Sequence, residues 1–214
     1  MSALRLNRTH YPVTVLGPGV RAGIWVQGCT IGCSGCVARD TWDAQGGDGV
    51  DVAAVLDWLD AVDGPVDGVT ISGGEPFQQP GAVGELLDGI ARWRQDRPGA
   101  VDVLVYSGYP WSRLSATPEF APLLARCDAV IAGPYVGRRN TGVALRGSDN
   151  QQVVALTPLG ERRYREPKAE QRMQVEVSGG RVYCIGIPRA GDMDRLTEHL
   201  AASGVLLGDL AWRA

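Results

Sequence analysis

Four short apolar runs, spaced by helical stripes, set the architecture this chain can reach. They are Gly23-Ile24-Trp25-Val26-Gln27, Gly68-Val69-Thr70-Ile71-Ser72, Val101 to Tyr106 and Ala129-Val130-Ile131-Ala132. The third is apolar except for Asp102, as in a strand covered on both faces. Between the runs, residues 50–62 carry Val52, Val55, Leu56 and Leu59, and residues 81–94 carry Val83, Leu86, Leu87 and Ile90. That i, i+3, i+4, i+7 spacing predicts two core-facing helices. A third helix is expected over about 118–126, and a further strand over Gln152 to Leu156. Val13 to Leu16, set off by Gly17-Pro18-Gly19, reads as the first arm of a hairpin whose second arm is the first run. The alternation of strands and helices predicts parallel βαβ units in an α/β fold.

Ligands in such folds sit at the carboxyl ends of the strands. Three loops lie there, after residues 27, 72 and 106. The first holds Cys29, Cys33 and Cys36 in a Cys-x3-Cys-x2-Cys spacing. Three thiolates so close can grip three corners of a [4Fe–4S] cube, which normally takes four cysteines. The iron left over is an open position, the mark of a reactive rather than a closed site. Structural zinc and a redox-regulatory thiol cluster are the competing readings. Zinc usually wants a second ligand pair, and here only His10 and His199 are on offer. The chain has five cysteines, an odd count that does not suit a disulfide framework. Cys127 and Cys184 stand alone and read as buried small hydrophobes. The second loop is Gly73-Gly74-Glu75-Pro76. It is either an ordinary strand-to-helix turn or a set of carbonyls and a carboxylate suited to an ammonium group.

Composition excludes other classes. A net charge of −3 gives no basic footprint for nucleic acid. No apolar run approaches the roughly 18 residues of a membrane span. The N-terminal residues lack the apolar core of a secretory signal, so a cytoplasmic setting is expected.

Taken together, the cysteine spacing and the Gly-Gly-Glu-Pro loop resemble the radical S-adenosylmethionine superfamily. The resemblance implies that Cys29, Cys33 and Cys36 bind the cluster and form its catalytic centre, while Gly73, Gly74 and Glu75 hold the methionyl amine of S-adenosylmethionine. An electron from the reduced cluster would cleave the sulfonium, giving methionine and a 5′-deoxyadenosyl radical. Within the superfamily the chain is most similar to activating enzymes of anaerobic ribonucleotide reductase. Trp25-Val26-Gln27-Gly28-Cys29, Asp40-Thr41-Trp42, Tyr106-Ser107-Gly108-Tyr109 and Leu145-Arg146-Gly147-Ser148-Asp149-Asn150-Gln151 carry that similarity. It implies cofactor contacts at Tyr106 and Ser107, and a cofactor or partner contact at Arg146. Gly35 departs from many superfamily members, which have an aromatic residue there, but resembles the activases; the similarity to the activases departs at Val37-Ala38, and at Ala132, where they carry Asp.

The implied activity is the placing of a glycyl radical on a partner enzyme such as anaerobic ribonucleotide reductase, with an electron donor such as flavodoxin. Radical chemistry on a small molecule or peptide is the alternative. A non-catalytic iron–sulfur electron carrier is the reading from another class. The expected fold is a partial (β/α) barrel of about five to six parallel strands, open on one side, within a single domain spanning 1–214. Its core would occupy about 13–156. An extension, about 157–214, would add a β-hairpin around Ser178-Gly179-Gly180, with arms 172–177 and 181–187, and a helix from about 192 to 203.

Overall fold

The computed structural model describes residues 3–166, 173–210 and 212. Its centre is a seven-stranded sheet built from β1 (Ala3–Val13), β2 (Arg21–Val26), β3 (Asp48–Asp51), β4 (Gly68–Gly73), β5 (Asp102–Ser107), β6 (Ala129–Ala132) and β7 (Gln152–Ala155), in the order β3-β1-β2-β4-β5-β6-β7. The four central strands β2, β4, β5 and β6 are parallel. β1 and β3 on one side and β7 on the other are antiparallel. The fold is therefore mixed α/β. Four parallel strands replace the five to six expected, because β1 returns into β2 by a short connection and β6 leads to β7 through a loop with no α-helix, so neither flank is built by a helical crossover.

Alternation along the parallel strands gives each face its own character. One face presents Ile24, Val26, Val69, Ile71, Val103, Val105 and Val130. Against it pack α1 (Val52–Asp60) through Val52, Val55 and Leu59, and α2 (Pro80–Trp93) through Val83, Leu86, Leu87 and Ile90. Both predicted stripes thus face the core. Each fully buried Leu or Ile contributes roughly 1.5–3 kcal/mol. α3 (Trp111–Ala116) and α4 (Ala121–Leu124) complete this layer with Leu114 and Leu123.

The opposite, inner face is more varied. At the amino ends of the strands Arg21 and Asp102, both fully buried, form a two-point ion pair with Nη1···Oδ1 at 3.0 Å and Nη2···Oδ2 at 2.8 Å. Arg163 and Tyr164 of α5 (Pro158–Tyr164) donate to the same carboxylate. Above them Leu104, Ala129, Ile131 and Leu145 pack around Tyr164. Toward the carboxyl ends, Trp25 and Tyr106 lie near Val13, Leu16 and Ile185.

Ile185 belongs to a separate two-stranded hairpin, β8 (Met173–Ser178) and β9 (Arg181–Gly186), with α6 (Asp192–Ala202) after it. The hairpin and helix stand where the sequence places them. The first residue expected in the hairpin, Arg172, lies outside the described residues. Among the described residues, no helix is long and apolar enough to cross a membrane.

Candidate iron–sulfur and cofactor site

β2 ends at Val26, and the chain then turns three times. Gly28, Gly32 and Gly35 have φ of +96°, +63° and +79°. Each is the residue immediately before a cysteine, so a left-handed step that glycine adopts without strain precedes every thiol. The loop is anchored at its start by backbone bonds from Gly28 N–H to Thr41 O at 2.8 Å and from Cys29 N–H to Trp42 O at 3.0 Å. Buried Gln27 secures the far side, its amide donating to Asp40 O at 2.9 Å and Asp43 O at 2.8 Å.

The three thiols are half-buried and close enough to feel one another's charge. Burial raises the Cys29 thiol, and the N–H groups of Ile31 and Gly32 directed at its sulfur oppose that rise. Burial likewise raises Cys33, with the Tyr135 N–H opposing. N–H groups aimed at sulfur favour the thiolate, the form a metal requires. Among the described residues, no three His, Cys, Asp or Glu side chains are grouped tightly enough to hold a single metal ion. A cube differs from a single ion because each of its corners takes one thiolate. Three half-buried thiols on one loop, two of them supported by amides, fit that group.

The Gly-Gly-Glu-Pro turn lies directly beside this loop. Val26 pairs with Gly73 in the sheet, Gly74 N–H donates to Val26 O at 2.7 Å, and Glu75 N–H donates to Gly28 O at 2.8 Å. Gly73 has φ +103°, and a Cβ at Gly74 would collide with the Gly28 carbonyl. The turn therefore needs both glycines in order to approach the cysteine loop this closely.

Glu75 is buried and points inward. Its Oε1 accepts from Ser107 Oγ at 2.8 Å and Phe77 N–H at 3.1 Å, and its Oε2 accepts from Gly108 N–H at 2.7 Å. Burial pushes its carboxyl up to about 7 despite these donors. Gln78 joins the loops again. Its Oε1 accepts from Thr30 N–H at 3.1 Å, and its amide donates to Thr30 Oγ1 at 2.7 Å and Tyr109 OH at 3.1 Å. The loops after β2, β4 and β5 are thus one hydrogen-bonded unit.

A cavity of about 280 Å³ opens beside it on the inner face. Trp25, Ser72, Gly73 and Tyr106 line it from the strands, and Cys36 and Val37 from the cysteine loop. The Tyr106 hydroxyl is shielded from solvent and has no hydrogen-bond partner. Leaving such a group unpaired costs about 1–3 kcal/mol, and the side chain that carries it forms part of the cavity wall.

The structure brings together eight of the nine residues singled out in the sequence: the three cysteines, Gly73, Gly74, Glu75, Tyr106 and Ser107. Arg146 stands apart. Its guanidinium donates to Gln151 O at 3.1 Å and lies in a shallow hollow with Arg139, Asp149 and Glu161. Gly147 and Gln151 of the same loop do reach the cavity. The Gln151 amide donates to Gly133 O and the Asn150 amide to Pro134 O, both at 2.8 Å, so these side chains hold the loop's shape. Sequence reasoning passed over Gln78 and Tyr135. Gln78 had a signal in its polar character directly after the buried Phe77, whereas Tyr135 acts through a backbone amide that no side chain announces. Cys184, read as a buried hydrophobe, is half-buried and lines the cavity.

The mixed α/β scaffold with a three-thiol loop at the carboxyl ends of its strands defines an iron–sulfur domain. A family model described as a 4Fe-4S single cluster domain matches residues 15–154, and the chain belongs to that family. Its homologues include anaerobic ribonucleoside-triphosphate reductase-activating proteins. The one from Escherichia coli (strain K12) is 30% identical over 152 residues, 69% of this chain and 96% of the relative. The one from Enterobacteria phage T4 is 29% identical over 144 residues, 67% of this chain and 88% of the relative. The Haemophilus influenzae protein is 30% identical over 149 residues, covering 67% and 94%.

Proposed function

We propose that the chain is a radical S-adenosylmethionine enzyme that sets a glycyl radical on a partner of the anaerobic ribonucleotide reductase type. When bound, the reduced cluster supplies the electron that splits S-adenosylmethionine, and the 5′-deoxyadenosyl radical so released takes one hydrogen atom from a partner glycine. Cys29, Cys33 and Cys36 hold three corners of the cluster, and the turn at Gly73 and Gly74 receives the methionyl amine through its backbone. Glu75 and Ser107 serve that turn from within, since both carboxylate oxygens already accept hydrogen bonds from the chain. Tyr106 forms part of the wall against which the cofactor lies. On this reading the inner face of the sheet is the interior of a partial (β/α) barrel, in one domain spanning 1–214. The protein works in the cytoplasm and takes its electron from a donor such as flavodoxin.

The observation that carries this reading is the joining of the three-cysteine loop to the Gly-Gly-Glu-Pro turn by the Glu75 N–H to Gly28 O bond. The relatives' names point to the same partner. The test is anaerobic. Reduced, cluster-loaded protein given S-adenosylmethionine should yield 5′-deoxyadenosine, and with the reductase present a glycine-centred radical should appear on that partner by electron paramagnetic resonance. No 5′-deoxyadenosine from protein with a full iron load would refute the enzyme and leave an electron carrier. Cleavage without a radical on the reductase would favour a small-molecule or peptide substrate.

A further inference from the structure

The C-terminal hairpin has two unlike faces. On one, Gln174 and Glu176 lie opposite Ile185 and Tyr183 and turn toward the domain. Gln174 donates to Pro12 O at 2.8 Å, Glu176 pairs with His10 at 2.9 Å, Tyr183 lies under the Arg8 guanidinium, and Ile185 packs with Val13 and Leu16. The other face is made of Met173, Val175 and Val177 with Val182 and Cys184 opposite, and carries no charged group. Its outer end is open, with Val177 72% exposed. Met173, Val182 and Cys184 of this face line the same cavity as Cys36 and Tyr106, and so do Tyr183 and Ile185 of the other. Met193 of α6 lines it too.

This wall lies outside the region matched by the family model, which ends at residue 154. The Escherichia coli relative is covered over 96% of its length by 69% of this chain, so much of the remainder has no counterpart there.

We propose that in this chain the C-terminal hairpin is part of the site: Met173, Val182 and Cys184, with Met193, form the wall that closes against bound S-adenosylmethionine. The proposal rests on the radical reading above. Ser72, Gly73 and Tyr106 form the floor of the cavity, and the hairpin wall adds apolar surface, the Tyr183 ring and the Cys184 thiol. At about 280 Å³ the cavity falls just below the range of about 300–1,000 Å³ usual for ligand sites. A cofactor that fills it therefore touches the hairpin wall.

The test uses Cys184 as a reporter in the full-length, cluster-loaded, oxidised protein, in which no turnover occurs. Iodoacetamide labelling of Cys184 is followed by mass spectrometry with and without S-adenosylmethionine. At about ten times its Kd the cofactor should slow labelling about tenfold, since only the unoccupied fraction reacts. Cys184→Trp, which fills the cavity from the wall, should weaken cofactor binding measured by equilibrium dialysis. Val205→Trp, an equally bulky change outside the cavity, should not. Circular dichroism checks the fold of each variant, and labelling of the wild type needs no variant at all. Cofactor binding to the wild type with no change in the labelling rate would overturn the wall while leaving the radical reading intact. Failure of the wild type to bind the cofactor would overturn both.

Discussion

At the scale of single residues, Glu75 is the most informative group. A carboxyl raised from 4.5 to about 7 is at no disadvantage below pH 4.5, and costs the folded state increasingly as pH rises through 7. The wild type should therefore lose about 3 kcal/mol relative to Glu75→Gln between those limits in cluster-free protein, at about 1.36 kcal/mol per pH unit of displacement. Urea midpoints measured across that window check this, and a constant difference between the two proteins would contradict it. Gly74→Ala is the second residue-level prediction. A Cβ there meets the Gly28 carbonyl, so the turn must retreat from the cysteine loop. The variant should fold, as judged by circular dichroism, but retain less iron after desalting. The three cysteines and the two glycines were legible in the sequence because their spacing is itself the chemistry. The inward turn of Glu75 was not legible, because its partners Ser107 and Gly108 lie some thirty positions along the chain on the next strand.

At the scale of elements, legibility followed burial. β4, β5 and β6 are covered on both faces and showed as apolar runs. β1 was missed beyond its last residue. Only Leu4 and Val13 of its eleven residues are buried, and Arg5, Asn7, Arg8 and His10 hide the alternation. β3 was missed altogether, since three of the four residues in Asp48-Gly49-Val50-Asp51 are poor strand formers and the segment is held by pairing with β1 alone. α5 follows Pro158 in a seven-residue stretch too short to display a stripe, although Thr157 caps it through Gly160 N–H at 3.1 Å. The element-level prediction concerns the stretch after β4. Gln78→Ala removes three hydrogen bonds that join it to the cysteine loop and to Tyr109. At about 0.5–1.5 kcal/mol for each net bond, and with partial exposure here, a loss of about 1–2 kcal/mol in thermal or urea stability is expected. Iron should also be lost faster to a chelator. A chelation rate equal to that of the wild type would show that the loops are held together by packing alone.

At the scale of the whole molecule, the inner face of the sheet is divided. Its amino end is closed by Arg21, Asp102, Arg163 and Tyr164, and its carboxyl end carries the cysteines and the cavity. Removing one partner of a buried ion pair strands the other, at about 3–5 kcal/mol. Asp102→Ala should lower stability by that amount, while iron content per folded molecule should stay at the wild-type level. An equal fall in both would mean that the two ends are coupled. The sequence showed Asp102 only as an interruption in an apolar run, because its partners Arg21 and Arg163 are 81 and 61 positions away.

That division bears on how such a protein can be adapted. The thiols and the buried ion pair sit at opposite poles of one sheet, with a layer of hydrocarbon between them. Changes to the heat resistance of the scaffold can therefore be sought near the charged pole without touching the sulfur-bearing one.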